Sequence, residues 1–345
     1  MPPREIPVRS AARELRPRPD ERPILVTGAT GFIGRRLTRA LCARGQRVRV
    51  VVRRSDSLAE MAALGAEPML GDLTDPTTAV RAVAGVRTVY HLAGRLFRPG
   101  EPSHEYERLH VDATVALLCA AAAERHLDGF VLCSTTGVHG ATGPTPARED
   151  DPGRPENIYE KTKARAERLA AAIADAARLK LVVARPGLVY GPGDRHLLGW
   201  FRAIRSGYYR VIGSGRNCFH PIYIDDLVDA LLLSAAFASS RTYHLVGPRP
   251  VSMLELSHAI GKAVGRPVPR THLPAPVAFA VGAMFEALPV PRRTLPLTRS
   301  RVRFMTENRA YDGSRAWREL GFTPRVELEE GLDRTVAWYR DEGLL

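Results

Sequence analysis

Lysine is nearly missing from this chain: of fifty basic residues in 345, only Lys161, Lys163, Lys180 and Lys262 are lysines. Cysteine is equally sparse. Cys42, Cys119, Cys133 and Cys218 are scattered, with no CxxC pair and no companion histidine spacing. That excludes a disulfide framework and a structural zinc site, and it points to free thiols in a reducing compartment. The net charge of +13 comes without any aromatic-interleaved basic stripe, so no nucleic-acid partner is expected. No apolar run is long enough to span a bilayer. The N-terminus carries arginines and prolines where a secretory signal needs an apolar segment. The expectation is a cytoplasmic protein with a poorly ordered tail over residues 1–22 and no bound metal.

What is present is the composition of a large globular core, and from residue 23 onward strand-like and helix-like runs alternate. Apolar strands are read at 24–26, 48–52, 68–70, 88–91, 130–133 and 181–184. Helices are read at about 31–44, 105–124 and 158–177. Continuous apolar strands between helices predict an α/β fold with a doubly wound parallel sheet, buried on both faces. Residues 23–186 form the main domain in this reading. Residues 187–345, richer in Pro and Gly, form a smaller, interleaved substrate-binding region that returns 243–246 to the sheet.

The first strand runs directly into Thr27-Gly28-Ala29-Thr30-Gly31-Phe32-Ile33-Gly34. A strand feeding a glycine-rich turn that opens a helix seats a pyrophosphate on helix N-terminal N–H groups. Gly28 permits the turn, Gly31 lets the backbone approach phosphate, and Gly34 lets the helix pack closely. The chemistry lies in Tyr159-Glu160-Lys161-Thr162-Lys163. Positions i and i+4 of a helix share a face, so Tyr159 and Lys163 enter one cleft. A tyrosine is a poor base at neutral pH, and a neighbouring ammonium would favour its phenolate. With four lysines and ten tyrosines, a chance YxxxK is expected only about 0.1 times.

The glycines three apart, the YxxxK and their order resemble the extended short-chain dehydrogenases/reductases, the NAD-dependent epimerase/dehydratase superfamily, over about residues 23–345. The resemblance implies a Rossmann domain, a bound dinucleotide and a catalytic hydroxyl at the end of the fifth strand. In Ser134-Thr135-Thr136-Gly137-Val138-His139-Gly140 the family spacing selects Thr135, with Ser134 as the alternative. It further implies cofactor contacts from Thr30, Phe32, Ile33, Asp72 and Leu73, from Leu92-Ala93-Gly94, and from Pro186 and Val189, besides Tyr159 and Lys163. Asp75 reads equally as a helix cap. His110 stands where the family often has Asn. The alanine-rich helices resemble those that pair into a four-helix dimer interface, so a homodimer is expected.

Enzymes selecting NAD place Asp or Glu at the end of the second strand. Here Val52 is followed by Arg53 and Arg54, whose guanidinium groups suit a 2′-phosphate. NADP(H) is therefore favoured, with NAD(H) as the alternative; two exposed loop arginines are the plainer reading. Dehydratases of the family carry Asp-Glu where this chain has Thr136-Gly137, so dehydration is not expected. Sugar-nucleotide epimerases usually have Asn at Leu188 and a diphosphate-binding Arg at Phe219, and the family's aromatic is replaced by His139. These departures, with the uncharged stretch of 274–288, resemble the 3β-hydroxysteroid dehydrogenase and dihydroflavonol-reductase-like branch. They imply exchange of a secondary alcohol and a ketone on an apolar, sterol-like substrate lined by Ser134, His139, Leu188 and Phe219. An NAD-dependent epimerase and a non-catalytic NADP-binding scaffold are the rival readings. Segment 274–288 reads as a lid, a core helix or a peripheral membrane contact.

Overall fold

The structure is a computed structural model that describes residues 22–124, 126–236, 239–291 and 295–345. The tail expected over 1–22 lies, apart from Arg22, outside the described residues. The first half contains β1 (Ile24–Thr27), α1 (Phe32–Ala43), β2 (Val48–Val52), α2 (Asp56–Ala63), β3 (Glu67–Leu70), α3 (Pro76–Val83) and β4 (Thr88–His91). It continues through α4 (Ser103–Tyr106), α5 (Ala113–Ala122), β5 (Gly129–Cys133), α6 (Ile158–Ala177) and β6 (Leu181–Pro186). The second half has β7 (Leu188–Tyr190), α7 (Leu198–Ser206), β8 (Cys218–Phe219), β9 (Pro221–Tyr223), α8 (Ile224–Ala236) and β10 (Arg241–Leu245). It ends with β11 (Val251–Ser252), α9 (Met253–Val264), α10 (Ala275–Glu286), α11 (Arg299–Thr306), α12 (Ser314–Leu320) and α13 (Leu328–Asp341).

Seven strands form one parallel sheet in the order β10-β6-β5-β4-β1-β2-β3. Strand order reverses between β1 and β4, and the crevice beyond the carboxyl ends of those two strands is where such sheets bind ligands. The sheet strands read as apolar runs because both faces are covered. Alternate residues such as Val26, Val50 and Tyr90 pack against Leu37 and Leu41 of α1 and Leu227 and Leu231 of α8. Their neighbours Leu25, Val89 and Phe130 pack against Val83 of α3, Leu117 of α5 and Ala170 of α6. A third core joins Phe201, Ile224, Met253, Leu332 and Tyr339 from the C-terminal half.

The helix expected at 105–124 is broken. Between α4 and α5 the chain makes a wider turn of π type over Glu107–Asp112. His110, buried in that turn, is held from two sides by bonds described below, and Thr114 Oγ1 donates to the His110 carbonyl at 2.6 Å. Such wide turns gather at functional sites. Residues 274–288 do form a helix, α10, but only Ala278 and Gly282 of it are buried, so it is not a core helix.

Candidate active site

Gly28 ends β1 with φ +70°, and a Cβ there would lie 2.7 Å from the Leu92 carbonyl carbon. Only glycine lets the first turn touch the turn after β4. The Gly31 N–H donates to Gly28 O at 2.9 Å, and Gly31 caps α1 with no side chain bonded to the helix start. A Cβ on Gly34 would fall 2.2 Å from Gly28 O, so the helix begins hard against the turn. The free N–H groups of that first turn and the bare backbone before them fit a pyrophosphate. Phe32 lies against Gly193, Ile33 is half-buried between two cores, and Thr30 is exposed.

The rest of the expected cofactor surface surrounds this turn. Arg53 is exposed just beyond β2, whereas Arg54 is drawn onto Asp56. Asp72 accepts from Thr74 N and Thr74 Oγ1, both at 3.0 Å, which fixes its loop. Leu73 is buried in the core beneath it. Asp75 caps α3 by accepting from Thr77 N at 3.0 Å. Pro186 and Val189 lie at the end of β6 and in β7, Pro186 buried and Val189 half-buried.

Asn157 caps α6, accepting from Glu160 N at 3.0 Å, and the first turns of α6 carry Tyr159 and Lys163. Tyr159 is hydrogen-bonded to Thr135. Burial raises the phenol above its ordinary pKa, and the Thr135 bond works against that rise. The expected lowering by Lys163 is thus not what governs Tyr159. The buried Lys163 ammonium donates to Cys133 O at 2.9 Å, and burial lowers its own pKa. A Cβ on Gly94 would stand 3.2 Å from Lys163 Nζ. The turn Leu92-Ala93-Gly94 therefore touches the glycine turn at one end and the lysine at the other.

The three hydroxyls after β5 are in different surroundings. Thr135 accepts from Gly137 N at 3.0 Å, which leaves its own proton for the bond with Tyr159. Thr136 donates to Pro186 O at 3.1 Å. Ser134 Oγ is buried without a partner among the described residues. Two substrate expectations need correction. Phe219 is 2% exposed and covered by Phe304, with ring centroids 5.1 Å apart, and by Trp200. It is core, not a surface awaiting ligand. His139 is buried, with Nε2 2.9 Å from His244 Nε2 and 3.2 Å from Arg185. Leu188 lies half-buried on the β7–β9 pair at the edge of the third core.

Two further groups surround the site, the first built on His91 and on His110, the residue that departs from the family pattern. Thr27 Oγ1 accepts from Ala93 N at 3.2 Å and bonds His91 Nδ1 at 2.7 Å, while His91 Nε2 bonds Thr114 Oγ1 at 2.9 Å. His110 Nε2 accepts from Arg95 N at 3.0 Å, and Nδ1 bonds Thr162 Oγ1 at 2.8 Å. Its ring meets Tyr159 edge-on at 5.6 Å. Burial, with the nearby Lys163, holds His91 at about 3 and His110 at about 2, so both are neutral. The second group is Arg309, 7% exposed, which donates to Glu160 Oε1 at 3.0 Å beside Tyr159. Glu156 and Glu307 stand 3.7 Å from it. Burial and Glu156 push Glu307 up to about 7. The only sequence signal was Glu160 inside the YxxxK run, and its partner lies 149 residues away.

The comparisons with known proteins accord with this geometry. Residues 24–247 match the model of the NAD dependent epimerase/dehydratase family. The chain is 33% identical over 329 residues to a 2-alkyl-3-oxoalkanoate reductase of Stenotrophomonas maltophilia, covering 91% of this chain and 98% of that one. It is 30% identical over 316 residues to a 4-hydroxy-2-methyl-3-oxo-4-farnesyl-3,4-dihydroquinoline-1-oxide ketoreductase of Stigmatella aurantiaca, covering 89% and 94%. Among solved structures, MoeE5 in complex with UDP-glucuronic acid and NAD superposes with a TM-score of 0.73 at 29% identity, covering 92% of this chain and 99% of that one. The glycine turn at a strand-order reversal, the Thr135–Tyr159 pair and these matches together place the chain in the NAD-dependent epimerase/dehydratase family, as an extended short-chain dehydrogenase/reductase.

Proposed function

We propose that this enzyme reduces a ketone to a secondary alcohol on a largely apolar molecule, with NADP(H) favoured over NAD(H). The observation that carries the reading is the hydrogen bond between Thr135 and a Tyr159 whose phenol is held protonated by burial. Thr135, oriented by Gly137 N, presents its hydroxyl to the carbonyl oxygen. Tyr159 gives that oxygen a proton as charge develops there. When bound, the nicotinamide supplies the hydride. Lys163 would hold the nicotinamide ribose, the Gly28–Gly34 turn the pyrophosphate, and Arg53 the 2′-phosphate. Ketone chemistry on apolar skeletons is also what the names of the two curated relatives describe.

Local charge and space speak against the neighbouring chemistries. A Cβ on Gly137 would lie 3.2 Å from both Glu160 Cγ and Thr135 Oγ1, so those side chains would have to shift to admit the acid of a dehydratase. Arg309 is already matched by Glu160 and flanked by two further carboxyls. Arg309 therefore has no unshared charge to offer a diphosphate. The epimerase reading retains support from the likeness to MoeE5 with its UDP-sugar and NAD.

Substrate screening decides between them: loss of NADPH or NADH absorbance reports reduction of 2-alkyl-3-oxo acids and polycyclic ketones, and product analysis reports interconversion of UDP-sugars. Turnover of apolar ketones is expected. Interconversion of a UDP-sugar at a retained NAD, with no ketone reduced, would replace this reading by the epimerase.

A further inference from the structure

The helix α10 is apolar almost all round. Its sequence from Ala275 to Phe285 has no charged side chain, and Glu286 closes it. Ala278 and Gly282, four apart and so on one stripe, pack against α11. A Cβ on Gly282 would lie 3.0 Å from Arg299 N. The opposite stripe is open. Val277 is 48% and Met284 60% exposed, and Leu288 and Val290 continue the apolar surface beyond the helix end. A contiguous apolar patch of this kind is uncommon on a protein that meets only water.

The sequence flanking this helix carries charge of one sign. Between residues 270 and 304 the chain holds six arginines, at 270, 292, 293, 299, 301 and 303, against the single Glu286. On α11, Arg299 pairs with Glu286 and Arg303 with Glu307, while Arg301 reaches carbonyls of Leu295 and Pro296. The segment keeps a net positive charge after these pairings. No helix among the described residues is long and apolar enough to cross a membrane. An apolar helical face of twelve residues bordered by arginines has the dimensions and charge of an element that lies in the lipid headgroup plane.

We propose that α10 docks this protein on an anionic lipid bilayer, with Val277, Met284 and Leu288 entering the acyl boundary and the flanking arginines meeting the headgroups. The docking does not depend on which substrate the enzyme takes. Sedimentation of the full chain with phosphatidylcholine vesicles, with and without about one third phosphatidylglycerol, tests it. The expected result is binding to the anionic vesicles that weakens about tenfold or more on raising salt from about 0.05 to 0.5 M. Met284→Glu and Val277→Glu, both at exposed positions, should each weaken binding about tenfold or more, with thermal unfolding unchanged. Failure of the wild type to bind anionic vesicles overturns the proposal. So does a Met284→Glu variant that still binds them, or one that turns a dimer into a monomer while vesicles recruit neither form; that outcome would make the patch a contact between two copies.

Discussion

Tyr159 and Lys163 occupy the same helix, yet their surroundings pull their proton affinities in opposite directions: burial raises the phenol and lowers the ammonium. A phenol kept protonated is suited to give a proton to a carbonyl undergoing reduction, which supports the proposed reaction. Tyr159→Phe keeps the ring and deletes the transferable proton. It should lower kcat about 10²-fold or more while leaving cofactor affinity unchanged. Near wild-type turnover in stopped-flow assays would remove Tyr159 from the chemistry. Arg53 is the residue proposed to read a 2′-phosphate, because Arg54 is engaged by Asp56. Arg53→Ala should weaken NADPH about tenfold or more and leave NADH nearly unaffected. Fluorescence titration of both cofactors checks this, and equal weakening of the two would mean that Arg53 reads no 2′-phosphate.

At the scale of elements, the join between β1 and α1 depends on a gap that only glycine leaves. Gly34→Ala puts a methyl group 2.2 Å from Gly28 O. The helix must retreat from the turn, and the N–H groups that face a pyrophosphate move with it. The expected cost is about 1–3 kcal/mol of stability, typical of an overpacked contact, together with weaker binding of both NADPH and NADH. Thermal unfolding and cofactor titration of the same variant measure the two effects, and unchanged cofactor affinity would separate the turn from phosphate binding. Elements with strong local patterning were legible from the sequence. The strand at 48–52, the strand at 88–91 and the helix at 158–177 appear in the structure with those bounds. The break near 107–112 was not, because His110 bends the chain through bonds to Arg95 and Thr162, one of which spans 52 residues. Nor was α2, which buries only Met61 and so carries little apolar pattern. Phe219 and Arg309 were misjudged or overlooked for the same reason: both acquire their surroundings from residues far away in the chain, Phe304 for the first and Glu160 for the second.

The whole molecule carries several histidines that folding keeps neutral. His91, His110, His139, His220 and His244 are all buried, and burial holds them at about 3, 2, 4, 4 and 2. The unfolded chain protonates each near pH 6.5 while the folded one does not. The unfolded state therefore binds more protons between these limits, and stability falls as pH drops below about 6.5. Each histidine contributes at most about 1.4 kcal/mol per pH unit across that window. Glu149, Asp194 and Asp226, raised by burial, oppose the trend in its lower part. The melting temperature should accordingly decline from pH 6.5 to pH 5, and a flat profile over that interval would show that these imidazoles are solvated in the folded protein.

The bonds of His91 and His110 leave their hydrogens no choice. The Thr114 hydroxyl ends on the His110 carbonyl, so His91 must carry its proton on Nε2, facing Thr114. Its bare Nδ1 then accepts from the Thr27 hydroxyl, which itself accepts from the Ala93 amide. His110 accepts from the Arg95 amide on Nε2, so it is protonated on Nδ1 and faces Thr162, whose hydroxyl ends on the Ile158 carbonyl. Each chain begins at a backbone N–H and finishes at a backbone C=O, groups that neither release nor take up protons near neutral pH. These imidazoles are therefore insulators and not wires. A proton given up by Tyr159 in the proposed reaction is therefore not resupplied through either ring, and the two rings should show opposite tautomers in ¹⁵N spectra.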